Sequence, residues 1–442
     1  MRGQVLTATL RSLLAYMALL AGLFGTGAIP AYLGAPAVVL VLVLAWKDLR
    51  RVARLLLIIG GMGGTAALLF DPASLQAAAG NMARLAALVV AVLLLSAVLG
   101  QSRDLYRIST RLFSGRPLPR YYRLAFGTGF LGVPLNFGAV SVVGTLLQQQ
   151  LREHGDSARV RNATRAVLRG FGGMPFCSPL SLSVVITLTF VPGLPGWQLI
   201  AAGLPLALGY VLLGSIFREP EPVAASVVGN DPAATAALLR FAAYIGAICL
   251  GAFALSDWTT MSYARAVTIS CVAMVGFSLT MRALRGESPA LPSMGSIGNE
   301  LAIMGGSAFL GVLVSTLALQ LLGVGFDFPH WAYPLVAFCV PSLMFLGGMA
   351  GFNPIVIGTL LGGVLGPIWP SEAVLGLGLM MVSGWGMTVA GTPYSANSLL
   401  IERLTGYDAR VAALRWNLPL SLLALLTIGL IGAALTWTLS PG

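Results

Sequence analysis

Apolar runs of about 17 to 25 residues follow one another along the chain, from near residue 12 to near residue 437. Each run is long enough to cross a hydrocarbon core of roughly 30 Å as a helix. Short polar connections separate the runs and leave no stretch for a soluble domain. The pattern predicts an all-α polytopic membrane protein with eleven transmembrane helices, near residues 12–28, 31–46, 52–69, 83–100, 165–190, 198–216, 241–256, 264–281, 298–321, 373–401 and 416–437.

Composition and charge fit this class. The chain is 57% hydrophobic and only 9% charged, a balance outside the range of soluble domains. Its net charge of +11 lies in short connections that carry no nucleic-acid-binding signature, so the charge indicates topology and we expect no nucleic-acid partner. The four cysteines have spacings that fit neither a metal site nor a disulfide framework, which favours packing roles for Cys177, Cys249, Cys271 and Cys339.

The N-terminus has two arginines before an apolar run and resembles a cleaved signal peptide. A second apolar run follows at residues 31–46 after a Gly/Pro turn, without a convincing small-residue cleavage site. We therefore interpret residues 1–30 as an N-terminal transmembrane helix.

Basic residues cluster in a few connections, which the positive-inside bias places in the cytoplasm. These clusters are Lys47–Arg54, Arg103–Arg123, Arg152–Arg169, Arg218, Arg282 with Arg285, and Arg403–Arg415. The connections without Lys or Arg face the other side: Gly25–Pro36, Asp71–Asn81, Val191–Trp197, Ser256–Ser262, Gly323–Trp331 and Gly366–Glu372. The pattern predicts a multi-pass protein of the cell inner membrane, with its N-terminus inside and its C-terminus outside.

Two apolar segments break the alternation of inside and outside connections. Residues 124–150 have cytoplasmic flanks on both sides, which predicts a re-entrant hairpin bent at Pro134 to Gly138 with Asn136 at its tip. Residues 333–365 have outer flanks on both sides and are interrupted between Gly347 and Pro354, with Asn353 at the tip. Non-helical backbone at membrane depth is tolerated only where it is buried in protein or lines a wet cavity.

The two halves of the chain repeat each other. A shift of 214 residues aligns several short matches over more than 60 residues: Gly144–Leu147 with Gly358–Leu361, Gly170–Gly172 with Gly384–Gly386, Pro179 with Pro393, Ser181 with Ser395, and Leu204–Leu206 with Leu418–Leu420. Basic connections of one half align with connections of the other that lack Lys and Arg. This predicts two inverted-topology repeats, residues 31–216 and 241–442, joined by a cytoplasmic linker at residues 217–240.

Each predicted hairpin is followed by a helix interrupted at mid-depth, near residues 165–190 and 373–401, and both interruptions contain Ser/Thr-Pro-x-Ser. Proline frees carbonyls, and short polar side chains supply ligands beside the exposed helix ends. The predicted solute and ion site is Asn136, Ser178, Ser181, Ser183, Asn353, Thr392, Ser395, Asn397 and Ser398. The predicted structural breaks are Pro134, Gly138, Pro179, Pro354 and Pro393. Kinked helices and simple turns are the alternative interpretation of the same residues.

The sequence places no carboxylate at mid-membrane, where a proton relay would need one, and this favours Na⁺ as the coupling ion near the same residues. Coupling to H⁺ through Glu300 or through the solute stays open, as does a first-turn dipole role for Glu300. Arg165 and Arg169 are interpreted as inside anchors, and the two histidines as neither metal ligands nor catalytic bases. We expect no cofactor and no other metal.

The order of scaffold helices, hairpin, broken helix and closing helix, repeated in inverted form, resembles the ion transporter superfamily. The divalent anion:sodium symporter branch is closest in architecture. Its Ser-Asn-Thr hairpin signature is replaced here by Leu135–Gly138 and Phe352–Pro354, in which only the asparagines correspond. The resemblance implies that hairpins and broken helices form a mobile domain in an elevator motion, and that the other helices form a scaffold in a homodimer.

The sequence thus predicts a secondary transporter, not an enzyme, that moves a small anionic solute, a carboxylate, through the lipid bilayer. Two alternatives within transport are an inorganic ion or metalloid exporter and a cation/proton antiporter. Two others are a membrane-embedded enzyme and a subunit of a larger complex. An intramembrane enzyme would need a His, Asp or Glu constellation at mid-depth, which the sequence does not display.

Overall fold

The computed structural model describes residues 2–25, 27–100, 102–222, 232–288, 290–323 and 326–440. Every regular element in these ranges is helical, which confirms the all-α class. Eleven helical segments are long and apolar enough to cross a membrane, as the hydropathy of the chain predicted.

The first half of the chain contains ten α-helices in the described ranges. They are α1 (Arg2–Phe24), α2 (Ala35–Ala45) with a π-helical turn before it at Pro30–Gly34, α3 (Arg51–Phe70), α4 (Pro72–Gly100), α5 (Arg103–Leu112), α6 (Pro117–Leu135), α7 (Phe137–His154), α8 (Ala158–Gly173), α9 (Leu182–Phe190) and α10 (Gly196–Gly214).

The second half continues with eight further α-helices in the described ranges. They are α11 (Pro232–Trp258), α12 (Tyr263–Leu284), α13 (Gly298–Leu322), α14 (Ala332–Met349), α15 (Pro354–Leu365), α16 (Val374–Gly391), α17 (Ala396–Thr405) and α18 (Leu418–Leu439), the last preceded by a π-helical segment at Val411–Asn417.

The predicted and observed sets of candidate spans differ in one member. Residues 165–190, predicted as an interrupted span, contain the end of α8 and all of α9 and are not among the eleven candidate spans. The segment Ala332–Met349, predicted as one arm of a hairpin, is long and apolar enough to span by itself. Hydropathy alone does not distinguish a long hairpin arm from a crossing helix, since both bury an apolar run of similar length.

Two predicted connections are partly helical. Helix α4 starts at Pro72, so most of Asp71–Asn81 is helical and its prediction as a connection is wrong. Its start is stabilised by Asp71, whose carboxylate accepts a hydrogen bond from the Ser74 N–H at 3.2 Å. Helix α11 likewise starts at Pro232, inside the predicted linker. The linker residues 223–231 lie outside the described ranges.

Helix α5 lies within the basic connection Arg103–Arg123, for which no helix was predicted. The Ser102 side chain caps it by accepting a hydrogen bond from the Asp104 N–H at 3.1 Å. Leu105 and Ile108 on one face are buried, whereas Tyr106 on the other is exposed. The helix is therefore amphipathic, the pattern expected at a membrane surface.

Each predicted hairpin segment contains two helices joined by a short turn, α6 and α7 in the first and α14 and α15 in the second. Helices α6 and α7 pack together and join at Asn136, which has φ 48° and ψ −128°. Pro134 lies in the last turn of α6 and Gly138 in the first turn of α7. Both residues are therefore helical, and the turn covers fewer residues than the predicted bend. Whether this hairpin is re-entrant stays a prediction.

The second turn occupies residues 350–353, with Gly351 at φ 90°. Gly347 is still helical, so this predicted interruption is also too wide. Pro354 is not part of the turn either, since it is the first residue of α15. There its missing N–H costs no hydrogen bond. The Asn353 side chain accepts a hydrogen bond from the Ile355 N–H at 2.9 Å and so caps α15.

The chain divides into two compact units that cut across the predicted repeats. Unit 1 comprises Met1–Val98, Ile248–Asp327 and Thr359–Ile368. Within it α3 packs against α13, and the Asn81 amide donates to the Ala308 carbonyl at 3.2 Å.

Unit 2 comprises Leu99–Ala247, Phe328–Gly358 and Trp369–Gly442. It holds the first hairpin, both broken helices, and the helices α10 and α18 that follow them. Helix α14, the turn after it and the start of α15 also belong to this unit, whereas Thr359–Leu365 of α15 belongs to unit 1, so the predicted second hairpin is divided between the units. The predicted site residues therefore all lie in unit 2.

Candidate functional site

Two helices of unit 2 are interrupted where the sequence predicted. The first interruption, between α8 and α9, covers residues 174–181, and the second, between α16 and α17, covers residues 392–395. Pro179 and Pro393 lie inside these segments. Because proline has no N–H, neither can bond the carbonyl four residues earlier, and the helix cannot continue through it. We call these segments the first break and the second break.

A serine closes each break and caps the helix that follows. The Ser181 hydroxyl accepts a hydrogen bond from the Ser183 N–H at 3.3 Å, and the Ser395 hydroxyl accepts one from the Ser398 N–H at 3.1 Å. Ser181 and Ser395 are equivalent under the 214-residue shift. Both predicted ligands are thus also N-caps, a structural role that stabilises a helix by about 1 kcal/mol.

Polar groups of the first break largely satisfy one another. The Ser183 hydroxyl lies 2.6 Å from that of Ser181 and donates to the Pro175 carbonyl at 2.7 Å. This carbonyl is the one that Pro179 cannot reach with an N–H. Ser178 is the exception, since its hydroxyl is buried and has no partner among the described residues.

The second break has a similar chain of hydroxyl groups. The Ser395 hydroxyl donates to that of Ser398 at 3.0 Å, and Ser398 donates to the Thr392 carbonyl at 2.9 Å. The Thr392 hydroxyl donates back into α16, to the Thr388 carbonyl at 2.8 Å. These three hydroxyl groups are therefore already engaged.

Asn397 lies just after the second break, and one of its polar atoms lacks a hydrogen-bond partner among the described residues. Its side chain is fully buried, and its Nδ2 is 3.4 Å from the Leu168 carbonyl. Its Oδ1 has no hydrogen-bond partner among the described residues. Under the repeat shift Asn397 corresponds to Ser183, and Val389 corresponds to Pro175. No described side chain donates to the Val389 carbonyl, so a side chain compensates for the missing proline N–H only in the first break, where Ser183 donates to Pro175.

The two broken helices cross each other beside their breaks. A Cβ on Gly172 would clash with Ala390 and lie 3.2 Å from the Gly386 carbonyl oxygen. A Cβ on Gly386 would clash with the Phe176 ring and lie 2.5 Å from the Gly172 carbonyl oxygen. The shift of 214 relates Gly172 to Gly386 and Phe176 to Ala390, so the contacts at this crossing are reciprocal. Only glycine permits this approach of the two backbones.

Each predicted hairpin segment approaches the break that follows it in the chain. In the first half, a Cβ on Gly132 would lie 3.0 Å from the Met174 sulfur. In the second half, a Cβ on Gly351 would lie 3.9 Å from the Tyr394 ring. The structure therefore brings the second hairpin turn to the second break.

The tip asparagines do not bond the breaks in the described part of the chain. Asn136 makes no side-chain capping bond, and the Asn353 side chain is engaged in its own turn. Their predicted role as ligands stays a prediction.

Arg169 was predicted to be an inside anchor, and this prediction is wrong. It is fully buried in α8, so it is not an anchor at the membrane surface. Its Nη1 donates to the Gly214 carbonyl at 2.6 Å, and its Nε donates to Asn417 Oδ1 at 2.9 Å. Asn417 was not predicted at all. It sits in a stretch whose only sequence signal was the repeated Leu-Pro-Leu that follows it.

An ionic network lies at the start of α8, outside the spans. The Glu219 carboxylate pairs with Arg161 at 2.7 Å and with Arg165 at 2.6 Å, and the Glu221 carboxylate pairs with Arg120. Burial alone would raise the pKa of Glu219, but the two guanidinium groups offset this and hold its pKa below the usual value. The network ties the beginning of the inter-repeat linker to unit 2.

A second acid at this end is held in the same way. Asp156 accepts hydrogen bonds from the Tyr407 hydroxyl and from Arg161, both at 2.8 Å, and these two donors lower its pKa. Arg161 therefore links Asp156 to Glu219. Neither carboxylate is near the breaks in sequence, and both have a clear structural function.

The chemistry available at the breaks is that of neutral oxygen and nitrogen groups beside helix ends. The described residues contain no group of His, Cys, Asp and Glu side chains that could hold a metal ion. Helix N-termini favour anions, whereas freed carbonyls and amide oxygens favour cations such as Na⁺. No protein-family model matches the chain, and no curated protein shows significant similarity to it.

Proposed function

We propose that this chain is a secondary active transporter that moves a small anionic solute, a carboxylate, across the cell inner membrane together with a coupling cation. The observation that carries the proposal is the reciprocal crossing at Gly172 and Gly386, which brings both breaks into one unit. Inverted repeats that place broken helices at a shared midplane site are typical of secondary transporters.

Buried groups without partners support binding at the breaks. A buried polar atom that lacks a hydrogen bond destabilises the protein by about 1–3 kcal/mol, so such atoms in a native protein often mark a ligand. The Ser178 hydroxyl can donate to a carboxylate. The Asn397 Oδ1 only accepts, so it suits a cation or a donor on the solute. Na⁺ is the coupling ion that these groups favour, with H⁺ as the alternative.

We further propose an elevator-type mechanism in which unit 2 carries the solute and unit 1 is the scaffold of a homodimer. Both breaks, the first hairpin and the turn of the second lie in unit 2. Alternating access needs the site to move as one body, and a site made by a single compact unit meets that need.

Uptake by reconstituted protein tests the proposal. Proteoliposomes would be screened with organic anions, with and without an inward Na⁺ gradient. We expect at least one carboxylate to accumulate and to raise the melting temperature of the purified protein. If no carboxylate is taken up and none stabilises the protein, the proposal is wrong.

Cysteine accessibility tests the inverted topology separately. Gln149 and Ser371 are exposed residues near the ends of the two predicted hairpins. Single cysteines at these positions, in a variant without native cysteines, should react with a membrane-impermeant reagent from opposite sides. Labelling of both from the same side would contradict the inverted repeat.

A further inference from the structure

A cavity of about 410 Å³ lies in unit 1 and includes no residue of either break. Three segments line it: α1 around Arg11, the connection after α2 around Asp48, and the residues before α13 around Ser296. Two hydrogen bonds join the second segment to the start of α13. The Asn299 Oδ1 accepts from the Arg50 N–H at 2.8 Å, and the Asn299 Nδ2 donates to the Asp48 carbonyl at 3.3 Å.

The segment before α13 is also fixed against α1. The Met294 N–H donates to the Ser12 hydroxyl at 3.0 Å. A Cβ on Gly295 would lie 2.7 Å from the Ala8 carbonyl oxygen, so the backbone of this segment packs directly on the helix. All three walls of the cavity are therefore held by specific contacts, and the cavity is formed before any ligand binds.

Arg11 places a cation in the wall of this cavity. Its Nη1 pairs with Asp48 Oδ2 at 2.6 Å, and its Nη2 donates to the Leu44 carbonyl. Its Nε is buried and has no hydrogen-bond partner among the described residues. Buried donors without a partner are rare in native proteins, and a guanidinium is a preferred donor to phosphate oxygens. The free Nε therefore suits a phosphate.

The Asp48 carboxylate places an anion beside this cation. Its side chain is 65% exposed, and its Oδ1 accepts no hydrogen bond within the described part of the chain. This oxygen can therefore bind a cationic N–H donor. A simple anion would be attracted by Arg11 but repelled by Asp48. The wall thus fits a ligand that carries one charge of each sign.

The residues around the cavity are those of a membrane surface. Trp46 is exposed in the turn after α2, and exposed tryptophans are typical of the headgroup level of a bilayer. Leu10 and Leu13, on either side of Arg11 in the apolar span of α1, are exposed as well. The basic cluster Lys47–Arg54 follows at once, which the positive-inside bias places in the cytoplasm. A ligand with a polar head and apolar chains matches these surroundings.

We propose that this cavity binds the headgroup of a zwitterionic phospholipid of the cytoplasmic leaflet, phosphatidylethanolamine, with its phosphate at Arg11 and its primary ammonium at Asp48. The phosphate accepts a hydrogen bond from the Nε, and the ammonium donates to the Oδ1. The exposed Ser296 hydroxyl, which also lines the cavity, can donate to the same phosphate. The site goes beyond the proposed function, because it uses no residue of the breaks.

Binding of short-chain lipids to the purified full-length protein tests the proposal. Native mass spectrometry would measure Kd for phosphatidylethanolamine, phosphatidylcholine and phosphatidylglycerol, all with dioctanoyl chains. We expect Kd for phosphatidylethanolamine to be about tenfold lower than for either other lipid. Choline has no N–H to donate to Asp48, and the glycerol headgroup carries no positive charge. Inorganic phosphate should not displace the lipid.

Three variants test the roles of the two charges. Asp48→Asn removes the carboxylate and should bring the Kd values for phosphatidylethanolamine and phosphatidylcholine to within about twofold of each other. Glu287→Gln is the matched control, since Glu287 is another exposed carboxylate of unit 1 and pairs with Arg282 at 2.8 Å. It should keep the full preference. Arg11→Gln should weaken all three lipids together, because they share the phosphate.

The other outcomes would overturn the inference. Equal Kd values for the three lipids would show that the headgroup is not recognised. Tighter binding of phosphatidylglycerol would mean that the basic cluster binds anionic lipid, and displacement by inorganic phosphate would mean a site for free phosphate. If Asp48→Asn does not fold, N-methylated phosphatidylethanolamines decide on the wild-type protein, since each added methyl group should raise Kd. Uptake is not measured in these experiments, so this inference and the proposed function can fail separately.

Discussion

The two breaks share a pattern and differ in how far it is satisfied. In the first, Ser183 donates to the carbonyl of Pro175 that Pro179 leaves unpaired. In the second, the equivalent residue is Asn397, which does not bond the equivalent carbonyl and keeps an unpaired Oδ1. The two breaks therefore differ in which buried group lacks a partner among the described residues: the Ser178 hydroxyl in the first and the Asn397 Oδ1 in the second.

The crossing of the two helices is where a change should have the largest effect. In Gly386→Ala the new methyl group meets the Phe176 ring and the Gly172 carbonyl oxygen, and backbone cannot move aside easily. We expect the free energy of unfolding to fall by about 3 kcal/mol and uptake to be lost. Gly209→Ala in α10 is the control, because nothing lies within 4 Å of its added Cβ. Equal melting temperatures for the two variants would contradict the close crossing.

Asn397→Ala should abolish uptake in a protein that still inserts and folds, because it removes an unpaired oxygen and loses only the long 3.4 Å bond from Nδ2 to the Leu168 carbonyl. Ser183→Ala, its equivalent, should instead lower stability by about 1 kcal/mol, because the Pro175 carbonyl loses its donor. Uptake and thermal unfolding would be measured on both. Wild-type uptake by Asn397→Ala would show that Asn397 does not bind the solute or the ion.

Removal of the caps tests whether the two breaks depend equally on their serines. Ser181→Ala and Ser395→Ala each leave a helix start uncapped, at a cost of about 1 kcal/mol. We expect both variants to fold and to lose uptake. Conversion of each serine to threonine, which can also cap, is the control and should keep most of the stability. Full uptake by either alanine variant would limit that serine to a structural role.

Glu219→Gln tests the helix that leads to the first break, since Glu219 pairs with two arginines of α8. The pKa of Glu219 is lower in the folded than in the unfolded protein. Its contribution is therefore complete at pH 7, declines below the ordinary glutamate value of about 4.5, and disappears below the folded pKa. The variant should melt a few degrees lower at pH 7. The gap should narrow as the pH falls below about 4.5, and a gap of constant size as the solution is acidified would contradict this ionic cause.

Glu300→Gln should have the smallest effect. Glu300 lies in the first turn of α13, in unit 1, outside both breaks. An anion symporter should tolerate the change, with a rate of uptake within about twofold of wild type. Inactivity would instead favour the antiport alternative, in which Glu300 carries the proton.

Sequence reasoning located the breaks well because proline and glycine act locally. Pro179 and Pro393 interrupt a helix wherever they stand, and the serine after each caps the next helix. Helix ends were harder to predict. Residues 72–81 and 232–240 were predicted as connections, although an alanine-rich stretch after proline is a favourable helix start.

The pairing of distant residues could not be predicted. Arg169 and Asn417 are 248 positions apart, and their hydrogen bond depends on how α8, α10 and the segment before α18 pack. Charge bias places an arginine of a basic cluster at the membrane surface, and only packing reveals that this one is buried. The same holds for Glu219, whose role depends on the folding of the linker back onto α8.

The turn at Asn136 has a consequence for handling the protein. Its dihedral angles are those of the first central residue of a type II′ turn, a conformation that glycine adopts without cost and asparagine does not. Energy is therefore stored in the first hairpin. If Asn136 binds no ligand, Asn136→Gly should release that energy and yield a more thermostable protein. If it does bind one, the same substitution would exchange activity for stability, as engineered transporters and enzymes often do.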